Sequence, residues 1–174
     1  MAHTLTVLGG AHNAWDDLSQ VPETDLMAVN DIGMFCNSKH WYTNHGPRFR
    51  VFREIRAFEN RGYRPAERYH TTSHISLNRD LPDWVEKWDI PPQGGSGLVA
   101  AQVGLKLGYE KIVLCGVPCT YEGHFYGPRK FREGRKGGGL DGILEHLRDR
   151  VFQGQVRSVS GLSREILGSP FDPW

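Results

Sequence analysis

Three features are scarce in this 174-residue chain, and each shortage removes a class of protein. Cysteine occurs only at Cys36, Cys115 and Cys119, too few for a fully paired disulfide framework. Cys115 and Cys119 are spaced as a metal pair can be, but no second Cys/His pair follows at zinc-finger spacing, and Cys115 suits a small core residue. Net charge is also scarce, at +1. That balance argues against general nucleic-acid coating or membrane adhesion, while leaving room for a local basic patch. Long apolar runs are missing too: no stretch approaches the roughly 20 residues that cross a bilayer. The N-terminus has no basic leader and enters a strand-like pattern at once, so cytoplasm is the expected location. The dinucleotide pattern Gly-x-Gly-x-x-Gly is absent as well, which argues against an NAD-type site.

What is present is organised around Gly94–Val117. This stretch reads as a glycine-rich turn, a buried helix, a glycine stop and a buried strand. Ser96 can cap the helix with its hydroxyl. Leu98 to Leu107 is apolar almost all round, interrupted only by Gln102 and Lys106 among polar side chains, so the helix belongs deep in the fold. Gly108 suits a left-handed stop. Ile112 to Cys115 lacks alternation, as expected of a central strand covered on both faces. Glycines before a helix start allow close approach of a ligand, and the free amides there favour an anion. A plain loop-to-helix entry would carry the same residues.

Around this block the chain alternates strand and helix patterns. Thr4–Leu8 is a strand ending in Gly9-Gly10, followed by a helix that Asn13 can cap. Asp25–Val29 is a second strand, ending in Asn30-Asp31, either a ligand contact at a strand end or an ordinary Asx turn. A third strand is expected over Lys39–Asn44, followed by His45 and a helix over Arg48–Asn60 that ends at Gly62. A fourth is expected over Tyr69–Ile75, where His70 and His74 share a face and read as surface or half-buried histidines. Residues 76–95, with Pro82, Pro91, Pro92 and two tryptophans, read as an irregular connection. After the central strand comes an aromatic, polar loop carrying Tyr121, His124 and Tyr126. A basic, glycine-rich run over residues 129–139 follows, suited to gripping phosphate through Arg132 and Arg135 or to lying free in solvent. An amphipathic helix over Leu140–Phe152, a strand over Gln155–Val159 and a short helix from Ser160 or Gly161 complete the chain. The expected architecture is α/β: a single Rossmann-like domain over residues 1–174, with a mainly parallel sheet and helices on both faces.

Several of these segments, in this order, resemble one known arrangement. Gly95-Ser96-Gly97 with its buried helix, Leu107–Ile112 and Leu114–Val117 form the strongest match. Val7–Gly10, Ala28–Asp31 and Ser158–Ser163 support it. The chain is similar to the bacterial CMP-sialic-acid-dependent sialyltransferases and the related hydroxymethylpterin diphosphokinase-like proteins. By position, the resemblance implies nucleotide contacts at Gly9, Gly10, Asn30, Ser96 and Gly97, and phosphate contacts at Tyr121 and Tyr126; Asp31 joins the expected nucleotide contacts from its place at the strand end. It departs from the family in the first turn, Gly9-Gly10-Ala11-His12-Asn13. It departs again in a shortened lid without histidine, so sialyltransferase activity itself does not carry over.

The expected function is that of a nucleotide-dependent transferase acting on a nucleotide sugar and an unidentified acceptor. His124, or His45, would take a proton from the acceptor hydroxyl, while tyrosines, basic side chains and the Ser96 amides would stabilise the leaving phosphate. No Asp-x-Asp motif is present, so no metal or other cofactor is expected. A diphosphokinase acting on a pterin-like alcohol is the alternative; it would need ATP and Mg2+, held by Asp16, Asp17 and Asp31. A non-catalytic nucleotide-binding protein is the third reading.

Overall fold

In the computed structural model, residues 3–59, 62, 64–120 and 140–174 are described, without the side chains of residues 56–59 and 140. Seven strands form one sheet: β1 (Thr4–Leu8), β2 (Asp25–Val29), β3 (His40–Tyr42), β4 (Arg68–Thr72), β5 (Val85–Trp88), β6 (Lys111–Cys115) and β7 (Val156–Ser158). The spatial order is β5-β4-β3-β2-β1-β6-β7, and every pair is parallel. The chain therefore winds outward from β1 to β5, then returns to lay β6 against the other side of β1.

Among the described residues, five helices cover the sheet: α1 (Ala14–Ser19), α2 (Arg48–Glu59), α3 (Ser96–Lys106), α4 (Leu140–Leu147) and α5 (Gly161–Leu167). Successive strand side chains point to opposite faces, which explains the unbroken apolar runs. Leu5, Val7, Met27, Val29, Ile112 and Leu114 meet Leu98, Val99 and Val103 of α3, with Leu147 and Phe152 beside them. Leu8, Ala28, Val113 and Cys115 face the other way, toward Ala14, Trp41, Phe49 and Phe52. Cys115 is buried, and burial pushes its thiol up to about 12, so it behaves as a core residue.

Several expectations are corrected. Residues 76–95 are not wholly irregular, because Val85–Trp88 pairs with Arg68–Thr72 as a fifth parallel strand at the sheet edge. An edge strand of four residues flanked by prolines leaves little pattern in sequence. The helix expected over Leu140–Phe152 stops at Leu147, and Asp149 turns extended before a separate 3-10 turn over Arg150–Phe152. Val151 consequently points outward at 43% exposure, whereas Phe152 is buried. Strand four ends at Thr72, so His74 leaves it and pairs with Asp89 at 2.7 Å, while His70 is fully buried. Gly108, with φ of 92°, takes the expected left-handed position after α3.

Candidate functional site

A doubly wound sheet opens a crevice where its winding reverses, beyond the strands' C-terminal ends. Here the reversal lies between β1 and β6. Gly9 donates its N–H to Cys115 O at 2.8 Å, and Ala11 donates to Gly116 O at 3.2 Å, so the two strand exits run side by side. A Cβ on Gly9 would lie 2.4 Å from Gly116 O. A Cβ on Gly97 would lie 2.8 Å from a Val117 methyl. These glycines are therefore required by protein packing: the β1 exit, the α3 start and the β6 exit meet on Val117. Gly95, with φ of 85° and no atom within 4 Å of its missing Cβ, is the glycine before α3 that faces open space.

Neither expected side-chain cap forms. Gly95, not Ser96, occupies the capping position of α3, and Ser96 is its first helical residue. The first-turn amides of a helix lack intrahelical acceptors, so Ser96 and Gly97 still present N–H groups at this edge. Asn13 does stand before α1, but its side-chain amide turns aside, 3.2 Å from both oxygens of Asp17 and 2.6 Å from Ser160 Oγ. Asp17 Oδ2 also accepts Gly116 N–H at 2.9 Å and the Ser160 hydroxyl at 2.6 Å. This buried carboxylate ties α1, the β6 exit and the start of α5 together, a role that leaves it ill placed for Mg2+. Among the described residues, no group of three or more His, Cys, Asp or Glu gathers to hold a metal.

The β2 exit is held just as firmly. Asn30 adopts φ of 57°, a left-handed conformation unusual outside glycine. Trp41 Nε1 donates to its carbonyl at 2.7 Å, and the Thr43 hydroxyl donates to its Oδ1 at 2.8 Å. With its oxygen engaged, the side chain keeps its NH2 as the remaining polar end. Thr71 Oγ1 donates to Thr43 O, and Asn78, almost fully buried, bridges Gly46 N–H, Asn44 O and Thr72 O at 2.8 Å each. The exits of β2, β3 and β4 thus form one hydrogen-bonded shelf.

Among the described residues, five buried side-chain oxygens have no hydrogen-bond partner: three stand along this edge, Asn13 Oδ1 after β1, Asp31 Oδ1 after β2 and Thr120 Oγ1 after β6, and the other two, Ser38 Oγ and Tyr69 Oη, lie before β3 and within β4. Asp31 Oδ1 lies 3.7 Å from the Arg48 guanidinium, too far for a hydrogen bond. A buried polar atom without a partner costs about 1–3 kcal/mol, so such atoms are few and call for a reason. Three strand exits flanking the reversal each carry one. A cleft of about 860 Å³ opens between Gln93–Gly95, ahead of α3, and Glu145, His146 and Asp149 on and just after α4.

Of the residues singled out in sequence, Gly9, Gly10, Asn30, Asp31, Ser96 and Gly97 all lie at this C-terminal edge. His45 is exposed after β3. Tyr121, His124, Tyr126, Arg132, Arg135 and the whole run 129–139 lie outside the described residues. Sequence reading missed Asn13 as an acceptor, Asp17 as the tie, and Thr120 and Asn78 altogether. An inward Ala14–Asp17 spacing on α1 was the one available signal.

No protein-family model matches the chain, and no curated protein matches it by sequence. Solved structures do match. The sialyltransferase CstII of Campylobacter jejuni, in complex with the substrate analogue CMP-3FNeuAc, superposes with a TM-score of 0.64 at 13% identity, over 97% of this chain and 86% of that one. CST-II in complex with a trisaccharide acceptor and CMP gives 0.60 at 13% identity, over 95% and 85%. The monofunctional alpha-2,3-sialyltransferase Cst-I of Campylobacter jejuni gives 0.62 at 12% identity, over 97% and 80%. At such identities the likeness concerns architecture, and the chain shares the α/β fold of these bacterial sialyltransferases.

Proposed function

We propose that the chain is a glycosyltransferase-like enzyme that binds a nucleotide sugar in the β1/β6 crevice. The observation that carries this reading is the set of orphaned acceptors, Asn13 Oδ1, Asp31 Oδ1 and Thr120 Oγ1, at the exits of β1, β2 and β6. They are closed to solvent, so a ligand would meet them as the crevice opens, and a nucleotide brings the N–H and O–H donors they lack. The Asn30 amide and the Ser96 and Gly97 N–H groups complement them as donors to phosphate oxygens. The fold supports the assignment, because the sialyltransferases that share it are described with CMP bound.

Chemically, the acceptor hydroxyl would attack the anomeric carbon as the bond from that carbon to the phosphate oxygen breaks. His124 or His45 takes the hydroxyl proton, and the departing phosphate keeps the bonding pair, stabilised by the α3 amides, Tyr121, Tyr126, Arg132 and Arg135. The acceptor would enter from the cleft beside α4. In the diphosphokinase alternative, Asp17 would have to leave Gly116 N–H and the Ser160 hydroxyl to hold Mg2+.

Thr120→Val tests the reading. It removes an unpartnered hydroxyl while keeping the side chain's shape, so folding should be retained. By calorimetry, CMP should bind the parent and bind the variant about 5-fold more weakly, as expected for one lost hydrogen bond. Equal CMP affinity in the two proteins, or none in the parent, would overturn it.

A further inference from the structure

At the opposite, N-terminal edge of the sheet, a chain of side-chain hydrogen bonds runs through the interior. Trp88 Nε1 donates to His70 Nδ1 at 3.1 Å. His70 Nε2 lies 2.9 Å from His40 Nδ1, and His40 Nε2 lies 2.9 Å from the Tyr109 hydroxyl. Tyr109 donates to Asp25 Oδ2 at 2.6 Å. Both histidines are buried.

The direction of every bond follows from its ends. An indole nitrogen only donates, so His70 Nδ1 accepts from Trp88 and His70 Nε2 carries the hydrogen; Glu86 Oε2, 3.5 Å from the same Nδ1, accepts from Arg68 at 2.7 Å instead. His40 Nδ1 then accepts, His40 Nε2 donates, and the tyrosine proton goes to the carboxylate. Neither ring has a vacant acceptor. A proton added to either must break a bond and set two N–H groups against each other.

We propose that this relay is an acid-sensitive latch, holding the β3–β4–β5 wing to the rest of the sheet while both histidines are neutral and releasing it when one is protonated. The seam is narrow: β3 has three residues, and it meets β2 through three pairs beginning at Met27 and His40. His40 to Tyr109 is the side-chain bridge from that wing to the residue ahead of β6. The charges around it are mixed. Arg68 and Lys39 disfavour protonation, whereas Asp25 and Glu86 favour it. His3, stacked on Tyr109 with centroids 4.4 Å apart, lies 3.3 Å from Asp25 Oδ2. Lys39 holds Asp25 at 2.6 Å, and Arg68 holds Glu86 at 2.6 Å. Burial outweighs the attraction: it pulls His40 down to about 4 and His70 down to about 3. The unfolded chain takes up these protons near pH 6.5, so the latch is intact above that value and weakens as pH falls toward about 4. Release would also disturb the other edge, because Thr43 at the β3 exit holds Asn30.

Hydrogen exchange on the intact chain tests this, read at neutral pH and at about pH 5 after correction for intrinsic rates. Protection in β3, β4 and β5 should fall at least 10-fold more than in β1 and β6. In the double variant His40→Gln, His70→Gln, which leaves the relay no imidazole to titrate, that difference should vanish. Should the variant not fold, nitrogen-15 spectra of the parent decide: both rings should carry hydrogen on Nε2 and stay neutral down to about pH 5. An Nδ1–H tautomer in either ring, titration of either near its ordinary value, or uniform loss of protection across the sheet would overturn the latch.

Discussion

The carboxylate of Asp17 accepts the backbone N–H of Gly116 at 2.9 Å, across 99 residues of chain. That bond joins α1 to the exit of β6, where Gly116 itself sits at φ of 62°. Asp17→Asn should therefore be costly despite the near-identical shape. Asn13 donates to both Asp17 oxygens, and an amide in their place sets one NH2 against another. Urea denaturation should show a loss of about 1–3 kcal/mol, the range for a broken buried bond. A midpoint equal to the parent's would mean that the carboxylate is replaceable.

Gly97→Ala should destabilise through contact with Val117, whose methyl would lie 2.8 Å from the new Cβ. Overpacking of this kind costs about 1–3 kcal/mol. Adding Val117→Ala should recover most of the loss, and Gly97→Val should be worse than Gly97→Ala. Thermal melts of the single and double variants give the coupling; strictly additive effects would exclude it.

Trp41 both fills the second core and fixes Asn30. Its ring stacks on Phe52 at 5.4 Å, a Cβ on Gly33 would lie 2.1 Å from it, and its N–H holds the Asn30 carbonyl. Trp41→Phe loses volume and that bond together. We expect a loss of about 2–3 kcal/mol in urea, with weakened CMP binding once Asn30 is released. Stability and CMP affinity that both match the parent's would refute the link.

Thr43→Val separates those two effects. The hydroxyl donates to Asn30 Oδ1 and accepts His45 N–H at 3.2 Å, so its removal frees the Asn30 side chain while the core stays filled. Stability should drop by about 1 kcal/mol, and CMP should bind about 5-fold more weakly. Parental CMP affinity in a folded variant would remove Asn30 from the proposed site.

Much of the fold was legible because local chemistry dictates it. Ile112 to Cys115 is apolar on both faces because both faces are covered, and α3 is apolar nearly all round because it lies between sheet and solvent-shielding neighbours. Each strand that ends in Gly, Asn or Asp announced an exit, and those exits line up along the C-terminal edge of the parallel sheet. The edge strand Val85–Trp88 left no such mark, since its pairing partner supplies the order that four residues between prolines cannot. Only tertiary structure decided what each polar residue does. Asn13 and Asp17 look like a helix cap and a metal ligand until Gly116 and Ser160 arrive from about 100 and 140 residues away. His70 looks like a surface or half-buried histidine until β3 and β4 pair and bury it beside His40. A side chain's hydrogen-bond partners are set by the strand order, and strand order is a long-range property that composition and periodicity do not encode.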